Sequence, residues 1–309
     1  MLLHVLHETA YDYVPIVRTA RHVAHLKPAH DERQQLLSHK LTVDPGPSHQ
    51  AESVDVYGNT RAFFSLQAMH EQLRVRSESL VATTAAPAVA SELPWEQVRE
   101  RMRYHRRSRY DPAAEFSFAS PYVPRDTQFV DYAQSLFTPG RPLLAVAREL
   151  MHRIHADFEY ETTATDVNTP ALEALALRKG VCQDLAHVML GCLRSQGLPA
   201  RYVSGYLLTE PPPGQPRLVG SDASHAWVSV YLPGEADQPG EWTDLDPTND
   251  RAPGEDYVRL AIGRDYSDVS PMRGVIHGGS NQVLRVAVTV APVEPAADFP
   301  DTQPPESSS

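Results

Sequence analysis

The chain has 309 residues, 41% of them hydrophobic and 22% charged, the balance of a globular protein with room for two ordinary domains and a normal core. Its 28 basic residues stand against 39 acidic ones, a formal net charge of −11. Nucleic acids and anionic membrane surfaces both call for concentrated positive charge, so this balance argues against either as a partner.

The opening "MLLHVLHETAYDY" has too short an apolar run, and no basic leader, for a secretion signal. No stretch reaches the roughly 18 apolar residues of a membrane span, so none is expected. Residues 1–82 read as an all-β domain, a small sandwich or barrel-like sheet. The runs "LLHVLHETAYDY", "KLTVDP", "ESVDVYGNTRAFFSL" and "EQLRVRSESLVAT" are short and rich in β-branched and aromatic residues, with "DPGPS" and "YGN" as turns. The Gly58-Asn59 pair predicts a hairpin. Residues 83–90, "TTAAPAVA", read as a linker.

The second domain, 91–290, begins with helices. "SELPWEQVRERM" offers Ser91 as a cap and acidic residues in the first turn. The basic run at 99–110 reads as a solvated face or linker, and 109–125 as loop. Leu143, Ala147, Leu150, Met151 and Ile154 share one face of a helix at about 141–155. A short helix at 169–179 ends near Gly180. The next starts near Cys182, runs to about Gln196 and stops at Gly197, with Leu185, Val188, Met189 and Leu193 toward a core. Strands then follow at 200–208, 224–232, 241–247 and 281–290, giving an α+β order of helices before a mostly antiparallel sheet. The tail, 291–309, has five prolines, four acids and no Lys or Arg, and is expected to be disordered.

Cys182 falls at a helix start, where exposed N–H groups favour a thiolate. Asp184 is placed to reach back and cap that turn rather than to do chemistry. Packing as a small apolar residue accounts for Cys182 equally well on this segment alone. Strand alternation puts His225, Trp227, Ser229 and Tyr231 on one face of "SHAWVSVYL" and Ala226, Val228, Val230 and Leu232 on the other. His225 is thereby a candidate base. Either Asp246 or Asp244 of "EWTDLDPTND" can accept its Nδ1–H and fix the tautomer; period-two spacing does not choose between them.

Other polar candidates have weaker claims. His187 lies about 140° around the helix from Cys182. His152 and His155 read as partners of a helix C-terminus. Cys192 reads as core. On one helix the two cysteines would lie about 15 Å apart, which excludes a disulfide there. Reduced thiols, and hence a cytoplasmic location, are the simplest reading. No paired C-x-x-C or C-x-x-H set suggests zinc, and neither metal nor cofactor is expected. Phe158, Tyr160 and Trp227 are candidates to line a substrate pocket, and the proline-rich loop at 209–222 to rim it.

Cys182 in "GVCQDLAHVMLGCLRSQGLPARYVSGYL", His225 in "DASHAWV" and Asp246 in "W-x-x-LDPTN" resemble the bacterial transglutaminase-like superfamily in order, spacing and flanking residues. The resemblance runs through "EDYVRLAIGRDYSDVSPMRGVIHGG" to the last strand, and the "DVYGN" region is similar to the β-rich domain that precedes the core there. It implies a papain-like core with Cys182 as nucleophile, His225 as base and Asp246, rather than Asp244, as the orienting acid. It further implies thiol-dependent acyl transfer: hydrolysis of a peptide or isopeptide amide, or alternatively amine transfer as in a transglutaminase. A third possibility is a non-catalytic binding module that retains the fold. The same resemblance allows an ATP-grasp-type ligase as partner.

Overall fold

A computed structural model describes residues 1–87, 89–103, 106, 110–209, 224–234 and 239–293. The first five strands are β1 (Leu2–Ala24), β2 (Gln34–Asp44), β3 (His49–Val54), β4 (Thr60–Leu66) and β5 (His70–Thr83). β3 and β4 form the expected hairpin, with Gly58 at φ +87°, a conformation that costs glycine little. Asp55 Oδ1 accepts from the Tyr57 and Asn59 N–H groups and fixes the turn.

The helices are α1 (Trp95–Met102), α2 (Thr127–Ala133), α3 (Leu143–Asp157), α4 (Ala171–Leu177), α5 (Cys182–Ser195) and α6 (Tyr266–Val269). α1 starts four residues after the cap expected at Ser91. The capping position falls to Pro94, and Ser91 Oγ instead accepts from Leu93 N–H. The stretch expected as loop carries a 3-10 turn at Pro112–Ser117, which Asp111 caps. α2, capped by Asp126, was not anticipated. α4 ends at Arg178, at φ 55°, rather than near Gly180. α3 and α5 follow their apolar periodicity: Leu143, Ala147, Leu150, Met151 and Ile154 are buried, as are Leu185, Val188, Met189 and Leu193. Gly197, at φ +77°, follows the end of α5.

The remaining strands are β6 (Glu159–Tyr160), β7 (Lys179–Gly180), β8 (Ala200–Leu207), β9 (Ser224–Leu232), β10 (Glu241–Leu245), β11 (Tyr257–Gly263), β12 (Met272–Gly278) and β13 (Asn281–Pro292). β10, β9, β8 and β11 form one antiparallel sheet in that order, and α5 packs on β9 and β8. Ala226, Val228, Val230 and Leu232 are buried in the same core as α5, as the alternation predicted.

The strand at 281–290 does not join that sheet. β13 pairs along the first half of β1, from Leu3↔Pro292 to Val14↔Asn281, and β12 pairs along the second half. Together with β2 to β5 they make one seven-stranded sheet, so the chain returns to its own beginning. The reason lies in β1, whose 23 residues are twice the length of most strands and offer two hydrogen-bonding edges throughout. Its two halves feed two cores. Leu3 and Val5 join the large core around α5, while Val17, Ala20 and Ala24 pack with Phe64, Leu66 and Leu73. The tail expected from residue 291 starts later, since Ala291 and Pro292 still pair with His4 and Leu3 of β1, and from residue 294 on it lies outside the described residues.

Candidate active site

Cys182 is the first residue of α5 and is partly exposed. The turn before it is tightly built. Asp184 Oδ2 accepts from the Val181 N–H at 2.8 Å and from Thr165 Oγ1 at 2.7 Å, which is the capping role expected of it. A Cβ on Gly180 would come within 2.5 Å of Asp184 Oδ2, so only glycine leaves room for this carboxylate. At the other end of α5, the buried Arg194 donates to Ala200 O at 3.0 and 2.8 Å and to Ser120 Oγ at 3.1 Å. The helix is therefore fixed at its C-terminal end to β8 and at its N-terminal end to the turn before it and to Thr165.

His225 opens β9, opposite Gly205 of β8. Its Nε2 lies 2.7 Å from Asp246 Oδ2. The sequence-based expectation assigned Nδ1 to the carboxylate; with Nε2 there, Nδ1 is the nitrogen left for the thiol. Cys182 lines the same cleft as the imidazole, and its Sγ is 3.9 Å from the carbonyl oxygen of Ser224, the residue before His225. Burial works against the imidazolium, but the hydrogen bonds and charges of Asp246 and Cys182 outweigh it and raise the pKa of His225 to about 10.

Asp246 follows directly on β10 and is fully buried. Oδ1 accepts from the Thr248 and Asn249 N–H groups; Oδ2 accepts from His225, from Asn249 Nδ2 and from the Tyr257 hydroxyl, the last two at 2.7 Å. Burial alone would raise its pKa, yet these donors and the imidazolium hold it below the usual carboxylate value. Asp244, the other candidate, accepts from Ser229 Oγ and has no part in the pair.

His152 and His155 do more than complement a helix end. His152 Nδ1 lies 2.7 Å from Asp250 Oδ2, and His155 Nδ1 lies 3.0 Å from Thr248 O. They tie the end of α3 to the turn that carries Asp246. His187 is buried beside Tyr122 and Tyr202, accepts from the Tyr266 N–H through Nε2, and is kept neutral by burial. Cys192 is buried, and burial pushes its thiol well up.

The aromatics expected to line a substrate pocket part company. Trp227 is buried behind the imidazole, with ring centroids 6.1 Å from His225 and 5.4 Å from Tyr257. It faces β11, because β9 is covered on both sides. Phe158 caps α3 and turns into the main core against Tyr132. Tyr160 stays half exposed on β6, close enough to Cys182 that, after burial, the cysteine's charge helps to raise its phenol. The cleft itself, about 410 Å³, is lined by Cys182, Gln183, Tyr202, Ser204 and His225 and by residues of β1, β12 and β13. Nothing in the local pattern marks those strands, since they reach the cleft only through the pairing with β1. The loop expected to rim the site lies, from residue 210 to 223, outside the described residues.

Residues 3–82 match the bacterial transglutaminase-like N-terminal region, and residues 130–247 match the transglutaminase-like superfamily. An uncharacterised protein of Mycobacterium tuberculosis is 41% identical over 308 residues, covering 94% of this chain and 92% of that protein. A protein-glutamine gamma-glutamyltransferase of Pseudomonas aeruginosa is 32% identical over 117 residues, 37% of this chain and 17% of that protein. The crystal structure of a candidate cysteine protease from Cytophaga hutchinsonii shares the fold at a TM-score of 0.71 and 20% identity, covering 97% of this chain and 92% of that one. With both halves matched and a relative this similar along nearly the whole length, the chain belongs to the transglutaminase-like superfamily, as a member that carries the bacterial N-terminal β region.

Proposed function

We propose that the protein is a thiol-dependent acyl-transfer enzyme that hydrolyses a peptide or isopeptide amide, with Cys182 as nucleophile, His225 as acid–base and Asp246 as the group that orients it. The observation that carries this reading is the buried His225–Asp246 pair, 2.7 Å apart, in the same cleft as Cys182 at the start of a helix. The Cys182 thiolate, paired with the His225 imidazolium, attacks the amide carbonyl. A helix's first N–H groups lack partners within the helix, so those of Cys182 and Gln183 at the start of α5 are the donors proposed for the oxyanion. His225 passes its proton to the leaving amine as the C–N bond breaks, leaving a thioester on Sγ. Neutral His225 then takes a proton from water; the hydroxyl adds to the thioester, the acid departs and the ion pair is restored.

An amine in place of water would turn the same thioester into a new amide. The similarity of part of the chain to a protein-glutamine gamma-glutamyltransferase keeps that outcome as the second reading. The test begins with the pH dependence of Cys182 alkylation in the wild type, His225→Ala and Asp246→Ala. Fast reaction near neutral pH that depends on His225 supports acyl transfer. Ordinary thiol behaviour in all three sinks it and favours a binding role. Ammonia release with or without incorporation of a labelled amine then separates transfer from hydrolysis.

A further inference from the structure

The cavity that holds Cys182 is built from two distant parts of the chain. Val181, Cys182, Gln183 and His225 form one side; Tyr11 of β1, Met272 of β12 and Leu284, Val286 and Val288 of β13 form the other. Among the described lining residues none is Asp, Glu, Lys or Arg, in a chain where such residues make up 22%. The second lining histidine, His7, is neutral at physiological pH. Burial lowers it to about 4, and its nitrogens lie 2.9 Å from the Tyr206 hydroxyl and 3.0 Å from Thr9 Oγ1. Among the described residues, His225, whose pKa is raised, is therefore the cationic group of this cleft.

Leu284 and Val286 are each 52% exposed. An apolar group lying on them would release the water that covers them. A charged group would instead lose hydration with no partner to replace it. The part of a substrate that stays bonded to Sγ through the whole cycle is the acyl part, while the amine leaves with the proton of His225. Leu284 and Val286 line the same cleft as Cys182, so the group bonded to Sγ shares the space they bound.

We propose that the acyl donor carries a bulky apolar side chain next to the scissile amide, and that Leu284 and Val286 of β13 are the residues that select it. The proposal rests on the acyl-transfer reading of Cys182. It also gives the β-rich sheet a role in the reaction, since the strand that returns to pair with β1 becomes one wall of the site.

The test needs no known substrate. Alkylation rates at Cys182, located by mass spectrometry on the full chain, would be compared for N-phenyl iodoacetamide, N-butyl iodoacetamide and iodoacetylglycine. Each rate is divided by that reagent's rate with glutathione. The wild type should favour the phenyl reagent over iodoacetylglycine by about tenfold, the scale of burying one such side chain. Leu284→Asn and Val286→Asn, polar without added charge, should bring the ratio close to one, and Leu284→Ser should lower it part way. Both positions are half exposed, so polar residues there leave the buried core intact. Fast His225-dependent alkylation with no apolar preference, or a preference unchanged in both Asn variants, overturns the wall and leaves acyl transfer standing. Slow alkylation in the wild type, indifferent to His225→Ala, removes acyl transfer and the wall with it.

Discussion

His225 meets Asp246 through Nε2, 2.7 Å from Oδ2, and this contact leaves Nδ1 as the ring nitrogen not held by the carboxylate. Asp246 holds the ring from one side with a fully buried carboxylate, so the imidazole cannot turn without breaking a charged hydrogen bond in a place that water does not reach.

The raised pKa of His225 makes a titration prediction. Its imidazole should titrate near pH 10 in the wild type and fall toward or below the ordinary value of 6.5 in Asp246→Asn, as followed by NMR. A raised folded-state pKa adds stability that is complete below the unfolded value and lost as pH rises through the folded one. The stability gap between the wild type and His225→Ala, measured by urea unfolding, should therefore shrink between about pH 6.5 and pH 10.

Asp246 carries the opposite sign. Its depressed pKa adds stability that is present above the usual carboxylate range and lost as pH falls through the folded value. Asp246→Ala strips the acceptor from a buried imidazolium and from four further donors. We expect a loss of about 3–5 kcal/mol at neutral pH, the scale for breaking a buried pair. The difference from the wild type should narrow in acid, and a gap that stayed constant down to pH 2 would contradict the assignment.

The turn before Cys182 can be tested without touching the thiol. Asp184→Ala removes the acceptor for the Val181 N–H and should cost about 1 kcal/mol, as lost caps do. Gly180→Ala should cost more, because its Cβ forces Asp184 out of the same position. Both variants should also slow Cys182 alkylation at pH 7. Full stability in Gly180→Ala would mean that the turn has room the structure does not show.

Gly205, paired with His225, allows the closest packing in the sheet. A Cβ there would collide with the Val258 carbonyl oxygen and lie 2.6 Å from the ring of Trp227. Gly205→Ala should destabilise by about 1–3 kcal/mol through overpacking. Because Trp227 backs the imidazole, thiol reactivity should fall with it, a change that unfolding and alkylation assays would detect together.

How much of this could be read in advance differs from residue to residue. α3 and α5 were legible because a helix buried on one face must repeat its apolar residues at three- and four-residue spacing, and both do. The cap at Asp184 is a contact between residues three apart, so the sequence contains both partners. Beside their place at the end of α3, His152 and His155 hold partners that no local pattern shows, since Asp250 and Thr248 lie almost a hundred residues away. Trp227 and Phe158 were misplaced for a related reason. An aromatic residue near a nucleophile in sequence can face the cleft or the core, and only the neighbouring strands decide which.

By itself the sequence determined most local elements, the N-terminal β region, and the candidate cysteine and histidine, with Asp244 and Asp246 both open by spacing, because periodicity, turn chemistry and motif spacing act over a few residues. Tertiary structure decided which imidazole nitrogen meets Asp246, which aromatics stay out of the cleft, and that β12 and β13 close back on β1. These depend on hydrogen bonds and packing between segments up to about 290 residues apart, such as Leu3 and Pro292, and strand pairing at that range leaves no periodic trace in either partner.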